Sequence, residues 1–383
     1  MKKKIAILTQ PLGKNYGGII QNYALQIVLK KMGFDPITIN RQKNKEYSKL
    51  RLLLFDIKMK RLRRAKPLSE FPKFLTTQER MDVYQNNFKF IKEHICLTES
   101  LDSDSKFYRF FTKNSFDAYI VGSDQTWRPR YSPNIYQYFL NFLYNKQTTS
   151  KKIAYASSFG TSEWEYNSQE TETVKKLVQQ FDAVSVREDS GVDLCKKYLD
   201  INSEHVLDPT LLLSMEEYRQ LYSNKDLPKG NGVFCYILDS SANKKSIIDK
   251  VSEFFNDKVY YIFPKLDFAS QNKLFESMQY PSAEKWLKSF DDAEFVVTDS
   301  FHGTVFSIIF EKPFVTIPNK KRGKARFISL LRPLGLEHRL IESMEDLNST
   351  LLEEKIDFSL VKSRLDGMKE HSFNFLKNNL EEC

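Results

Sequence analysis

Phe295-Val296-Val297-Thr298-Asp299-Ser300-Phe301-His302-Gly303-Thr304 passes from a short continuous apolar run, through a small polar turn, into the apolar stretch that ends near Phe310. An apolar run this short suits a strand buried on both faces of a parallel sheet, and the stretch after it suits the crossover helix. The same alternation continues on both sides. Downstream lies the strand Phe314-Val315-Thr316-Ile317; upstream lie Val259-Tyr260-Tyr261-Ile262-Phe263, a helix near 241–256, and Gly232-Val233-Phe234-Cys235-Tyr236-Ile237-Leu238. The last residues carry Phe358, Val361, Leu365, Met368, Leu376 and Leu380 on mostly helical spacing, which predicts a long terminal helix.

Before the polar junction from Ser214 to Gly232, the alternation appears a second time. Ile5-Ala6-Ile7-Leu8 is a strand, followed after Pro11, Gly13, Gly17 and Gly18 by Ile20, Tyr23, Ala24, Ile27 and Val28 on helical spacing, ended by Gly33. Strands follow at Pro36–Ile39, Ala118–Val121, Ile153–Ala156, Ala183–Val186 and His205–Leu207, with helical patterns at Thr171–Gln180 and Ser190–Tyr198 and an aromatic-rich helical stretch from Phe71 to Ile95. The fold class this predicts is α/β, with two doubly wound parallel sheets facing a central cleft and a C-terminal helix. The corresponding division is an N-terminal domain over 1–213, a second over 230–340 and a helical segment over 341–383. A chain of 383 residues agrees with two cores, since one core seldom exceeds about 250–300 residues. Ligands bind at the carboxyl ends of such strands and between such domains.

Composition narrows the function. With 41% hydrophobic and 28% charged residues, the chain is globular rather than disordered. Met1-Lys2-Lys3-Lys4 is followed by only four apolar residues before Thr9-Gln10, too few for a secretory leader, and no apolar run is long enough to span a bilayer. Cys96, Cys195, Cys235 and Cys383 are scattered, which fits a reducing cytoplasm. The five histidines have no partners at zinc spacing, so no metal site is expected. Net charge is +9, and the segment 41–66 supplies all of it with eleven Lys/Arg against Glu46 and Asp56. Because this charge is concentrated in one strip mixed with leucines, nucleic acid is not the expected partner. The strip reads either as a solvated insertion packed on its own domain or as a contact with an anionic membrane surface.

The chemistry-bearing residues cluster at strand ends. Asp299 or Ser300 is placed to cap the following helix, and His302 then lies in its first turn, where an anion is favoured. That arrangement suits an acid/base working on a phosphate-bearing substrate, or a satisfied histidine in a capping turn. Asn319 to Arg326 carries five cations and no acid, and Arg326 opens the next helix. It is therefore a better anion ligand than Lys320 or Lys321, which read as solvated. Arg187 follows the strand 183–186, either at the ligand face or in a salt bridge with Glu188 or Asp189. In Gly122-Ser123-Asp124-Gln125-Thr126-Trp127, Asp124 either accepts a hydroxyl hydrogen bond or caps a helix, and Trp127 is placed to lie against a sugar ring. Asn15, Gly17, Lys324, Asp299 and Ser300 complete the candidate substrate-binding set. No GxGxxG, GxSxG, P-loop or CxxC is present.

Six segments in order resemble the polysaccharide pyruvyl transferase family: Gly13–Gly18 with Gln21–Leu25, Val121–Trp127, Ala156–Gly160, Val184–Glu188, Leu207–Thr210 and Thr298–Gly303. The resemblance runs from about residue 5 to 340. It implies a fold like the GT-B glycosyltransferases and transfer of pyruvate from phosphoenolpyruvate to a sugar diol as a cyclic ketal, with release of phosphate and no further cofactor. It makes His302 the match of the family's catalytic histidine and Arg187 that of a phosphoenolpyruvate-binding arginine. Characterised members tend to carry arginine where this chain has Ser300; Lys324 or Arg326 is placed to supply that charge instead. The implied acceptor is a saccharide of a surface polysaccharide, capsule or exopolysaccharide, or its lipid-linked precursor at the cytoplasmic membrane face. The readings that compete with this are a nucleotide-sugar-dependent glycosyltransferase on the same architecture and a non-catalytic anion- or membrane-binding module.

Overall fold

The computed structural model describes residues 2–43, 81–239, 241–256, 258–263, 279–318 and 323–381. Six strands, β1 (Lys4–Leu8), β2 (Asp35–Thr38), β3 (Ala118–Val121), β4 (Lys151–Ser157), β5 (Ala183–Val186) and β6 (Glu204–His205), form a parallel sheet in the order β2-β1-β3-β4-β5-β6. Four more, β7 (Val233–Tyr236), β8 (Val259–Tyr261), β9 (Phe295–Thr298) and β10 (Phe314–Thr316), form a second parallel sheet in the order β10-β9-β7-β8. Each sheet is apolar on both faces, as parallel sheets covered by helices must be. Ile5 and Ile7 of β1 face one core while Ala6 and Leu8 face another. In β7, Phe234 and Tyr236 share the core of Ile5 and Ile7, whereas Val233 and Cys235 face a third.

That shared core is the seam between the two halves. Tyr16, at the start of helix Tyr16–Lys31, stacks on Trp286 of helix Ala283–Asp291 with ring centroids 5.5 Å apart, and its hydroxyl donates to the Pro281 carbonyl at 2.5 Å. Strand order reverses between β1 and β3 in the first sheet and between β7 and β9 in the second. The loops leaving those strands therefore open at the two crevices where ligands bind in doubly wound folds.

Several elements differ from their sequence reading. β6 ends at His205; the Val206 N–H still donates to the Val186 carbonyl at 3.0 Å, and the chain then turns into the short helix Pro209–Leu212. Leu207 N–H donates to Ser372 Oγ at 3.0 Å, on the terminal helix Phe358–Leu380. That helix folds back on the N-terminal half, with Phe375 and Tyr155 at 6.2 Å. The aromatic-rich stretch forms helix Gln85–His94 in its described part, and residues 71–80 lie outside the described residues. Of the basic strip, residues 44–66 also lie outside them. Arg41 is buried, pairing Nη2 with Asp104 Oδ1 at 2.5 Å and donating from Nε to Gln137 Oε1 at 2.7 Å, so this member of the strip is a core cation rather than a surface one.

Candidate active site

His302 is held by a turn that only small residues allow. Thr298 Oγ1 accepts the Ser300 N–H at 3.1 Å, and Ser300 Oγ caps helix Phe301–Ile309 by accepting the Gly303 N–H at 3.3 Å. A Cβ on Gly303 would lie 2.1 Å from Thr298 Oγ1, so a side chain there would force the turn open. The turn carries His302 across the seam to the first turn of helix Tyr16–Lys31. A Cβ on Gly17 would lie 2.1 Å from His302 Nδ1, so the imidazole occupies the space that any other residue at 17 would fill. On the other edge of the ring, Nε2 lies 3.6 Å from Asp208 Oδ2.

Arg187 leaves the end of β5 and is 3% exposed. Its Nη1 donates to Asp208 Oδ2 at 2.7 Å, and Nη2 lies 3.5 Å from Asp124 Oδ1. Neither Glu188 nor Asp189 serves as its partner. Glu188 Oε1 accepts from Ser158 Oγ and from the Phe159 and Gly160 amides, and Asp189 Oδ1 accepts from Ser329 Oγ across the seam. Burial alone would lower the guanidinium's proton affinity, but the carboxylates of Asp208, Asp124 and Glu188 raise it overall. Nε and Nη2 of Arg187 are buried without a hydrogen-bond partner among the described residues. Arg326, at the start of helix Ala325–Leu334, is 5% exposed. The Phe301 ring lies 4.7 Å from Arg187 Cζ and 5.6 Å from Arg326 Cζ. Burial, with Arg187 alongside, pushes the Arg326 guanidinium down to about 10, against the opposing pull of the Glu188 and Asp124 carboxylates.

Asp208 joins these groups. Its Oδ1 accepts from Thr210 N at 3.0 Å and Thr210 Oγ1 at 2.7 Å, and its Oδ2 accepts from Ser123 Oγ at 3.1 Å as well as from Arg187. Burial would raise its pKa, but His302 and Arg187 outweigh it and hold the carboxyl well below the usual carboxylate range. Sequence reasoning left Asp208 without a role. Asp-Pro-Thr after a strand was its only signal, a capping pattern that says nothing of the partner across the seam. Phe301, the ring between the two guanidiniums, was missed likewise.

The remaining candidates divide. Asp124 is 5% exposed at φ 72°, a left-handed conformation that aims its carboxylate back toward Arg187. No helix follows it to be capped; its Oδ1 accepts the Gln125 N–H at 2.8 Å instead. Asn15 occupies the N-cap position of helix Tyr16–Lys31 but makes no capping bond, and its exposed side chain lies beside Gly18, as does Asp124 Oδ2. Asp299 is a structural clamp: it accepts from the Leu238 amide at 2.7 Å and pairs with Lys244 Nζ at 2.6 Å, leaving the helix cap to Ser300. Trp127 has no exposed surface, stacks on Phe139 at 4.9 Å and donates Nε1–H to the Tyr138 carbonyl, so it is a core residue and not a sugar platform. Lys324 is half exposed and pairs with Glu342 at 2.7 Å rather than entering the seam. Lys320, Lys321 and Arg322 lie outside the described residues. Away from this constellation, Glu93, His94 and Glu284 bring ligand atoms within 4.8 Å of one another, a grouping that sequence spacing hides, but Lys225 already neutralises Glu284 there.

Two facing parallel sheets with titratable groups converging at their switch points give the chain a GT-B-type fold. The chain is similar to UGT89C1 of Arabidopsis thaliana complexed with UDP-L-rhamnose (10% identity, 100% of this chain and 99% of that chain covered, TM-score 0.54). It is also similar to the N-terminal domain of trehalose-6-phosphate phosphatase from Candida albicans (10% identity, 100% and 97% covered, TM-score 0.51). At such identities the likeness shows the fold alone. No curated protein sequence matches the chain. The family model for polysaccharide pyruvyl transferase matches residues 15–321, and the chain belongs to that family of transferases. Among the described residues no helix is long and apolar enough to cross a membrane.

Proposed function

We propose that the chain moves pyruvate from phosphoenolpyruvate onto two hydroxyls of a hexose or N-acetylhexosamine, in a surface polysaccharide or its lipid-linked precursor, forming a cyclic ketal and releasing phosphate. The observation that carries this reading is the pair of buried guanidiniums, Arg187 and Arg326, placed on one aromatic ring beside His302. A small molecule with both a carboxylate and a phosphate matches two fixed cations, and bidentate guanidinium pairing suits both anionic groups.

The chemistry then follows from the donor's atoms. A proton delivered to the enol methylene makes it a methyl group and leaves an oxocarbenium-like carbon. One sugar hydroxyl attacks that carbon and loses its proton. The carbon–oxygen bond to phosphate breaks, the phosphate leaving with the first hydroxyl's proton, and the second hydroxyl closes the ring, its proton balancing the one first delivered. His302 is the acid/base, a role that contributes on the order of 10²–10⁴-fold, and Arg187 and Arg326 stabilise charge gathering on the departing phosphate. Asp124 is placed to accept a hydroxyl hydrogen bond from the acceptor.

The test is release of inorganic phosphate from phosphoenolpyruvate by the full chain, given a panel of hexosides and lipid-linked saccharides, with nucleotide sugars assayed in parallel. Acceptor-dependent phosphate release is the expected result. Nucleoside diphosphate release alone would overturn the reading in favour of glycosyl transfer. The basic strip, with nine cations against two acids over 44–66, supports docking at an anionic membrane face where a lipid-linked acceptor resides. Its check is co-sedimentation with anionic vesicles that weakens as salt rises, and equal binding to neutral vesicles would remove the electrostatic basis.

A further inference from the structure

His302, Arg187 and Arg326 are 6%, 3% and 5% exposed, too little for a phosphate-bearing donor to reach them in this arrangement. The reacting histidine belongs to one half, on the helix after β9, whereas Asp208 and Arg187 belong to the other, after β6 and β5. The Tyr16 hydroxyl on Pro281, Ser329 on Asp189 and the stack of Tyr16 on Trp286 hold those halves together here. The site is therefore a closed arrangement whose parts come from opposite sides.

We propose that Asp208 is a positioning residue that assembles the acid on closure, its carboxylate fixing Arg187 within the N-terminal half and receiving the imidazolium of His302 from the C-terminal half. The geometry supports this in three ways. Both carboxylate oxygens are anchored, Oδ1 by Thr210 and Oδ2 by Ser123 and Arg187, so Asp208 does not follow His302 when the halves separate. Nε2 of His302 is buried without a hydrogen-bond partner among the described residues, and the atom it faces at 3.6 Å is Asp208 Oδ2. Less than 1 Å of further closure makes that a charge-assisted hydrogen bond of ordinary length.

Positive groups flank the ring as well. Arg187 stands on β5 and Arg326 on helix Ala325–Leu334, and the free amides of helix Tyr16–Lys31 present its positive end at Gly17. Asp124 and Glu188 are the other buried carboxylates on the N-terminal side. Asp124 Oδ1 is drawn to Arg187 and the Gln125 amide, and Glu188 Oε1 to Ser158 Oγ and the Phe159 and Gly160 amides. Opening thus leaves His302 without its counter-ion, and closure over a bound anion restores it. The device deepens the pyruvyl-transfer reading, on which its catalytic use rests, but the charge geometry does not depend on the identity of the donor.

The experiment follows the His302 ring by NMR of histidine-labelled full-length protein, with the signal assigned by His302→Gln. Asp208→Asn is expected to lower the proton affinity of His302 at least tenfold, that is, to move its titration midpoint down by one pH unit or more. An unchanged midpoint in the folded variant overturns the proposal. Should Asp208→Asn alone fail to fold, Arg187→Met/Asp208→Asn, which removes both buried charges, is compared with Arg187→Met, and the same downward shift between those two is required. Phosphate release from phosphoenolpyruvate is measured on the same samples. A midpoint lowered by Asp208→Asn, with wild-type protein that leaves phosphoenolpyruvate intact, supports the assembly while refuting the donor; phosphate release by wild type with a midpoint unmoved by Asp208→Asn does the reverse.

Discussion

Gly17 and His302 meet so closely that neither position tolerates an extra atom, and this contact makes the sharpest prediction for a single residue. Gly17→Ala must displace the imidazole from its position beside Asp208, since the new methyl would fall 2.1 Å from Nδ1. Overpacking of this kind costs about 1–3 kcal/mol of stability, and a misplacement near 1 Å costs about a hundredfold in rate. Activity and melting temperature measured together check it: a Gly17→Ala protein with full turnover means His302 does not act from this position. Trp127 gives the opposite pattern. As a buried ring it should cost about 3–5 kcal/mol on Trp127→Ala, whereas Trp127→Phe leaves the acceptor KM unchanged; a raised KM with unaltered stability would return it to the sugar site. His302 and Arg187 were legible from the sequence because each follows a recognisable strand. Trp127 and Lys324 were misplaced because local spacing locates a residue on a loop but does not say which way its side chain faces. Asp208 was illegible as a functional group because its partners, Arg187, Ser123 and His302, come from three other segments.

Among the elements, the strands were the most legible, since a strand buried on both faces is a continuous apolar run and the polar residue ending it marks the ligand side. Their ends were less so. The outer edge of β6 meets Ser372, which accepts the Leu207 amide from a helix more than 160 residues away in sequence. Helix Asp104–Lys113, whose Phe107 and Phe111 are buried among Tyr119 and Phe142, escapes the sequence reading because its aromatics lie within polar residues. The terminal helix is legible from its spacing, but its docking on the opposite half is a tertiary fact. It yields a prediction at this scale: Phe375→Ala removes the ring that meets Tyr155 and should destabilise the chain by about 3–5 kcal/mol in denaturant unfolding. A change below about 1 kcal/mol would mean that the helix is not part of the folded unit.

For the whole molecule, the seam is both core and active site, so charge in it links function to folding. The Asp208 carboxyl is held far below its unfolded value by His302 and Arg187. Its contribution to stability is therefore present above the unfolded carboxylate range near pH 4 and is lost as pH falls below it. Asp208→Asn should accordingly be about 3–5 kcal/mol less stable at neutral pH, because it leaves Arg187 buried without its closest counter-ion, and the gap to wild type should narrow on acidification below about pH 4. A constant gap across pH would deny Asp208 that charged role. The claim on which the functional account depends is that the anion held in this seam is an enol ester whose pyruvate ends up on a saccharide. Mass spectrometry of lipid-linked and free saccharides after incubation with phosphoenolpyruvate tests it most directly. The account predicts a ketal-linked pyruvate on the acceptor with wild-type protein and its loss with His302→Ala; an acceptor left unmodified by the wild type, or modified equally by His302→Ala, would contradict it.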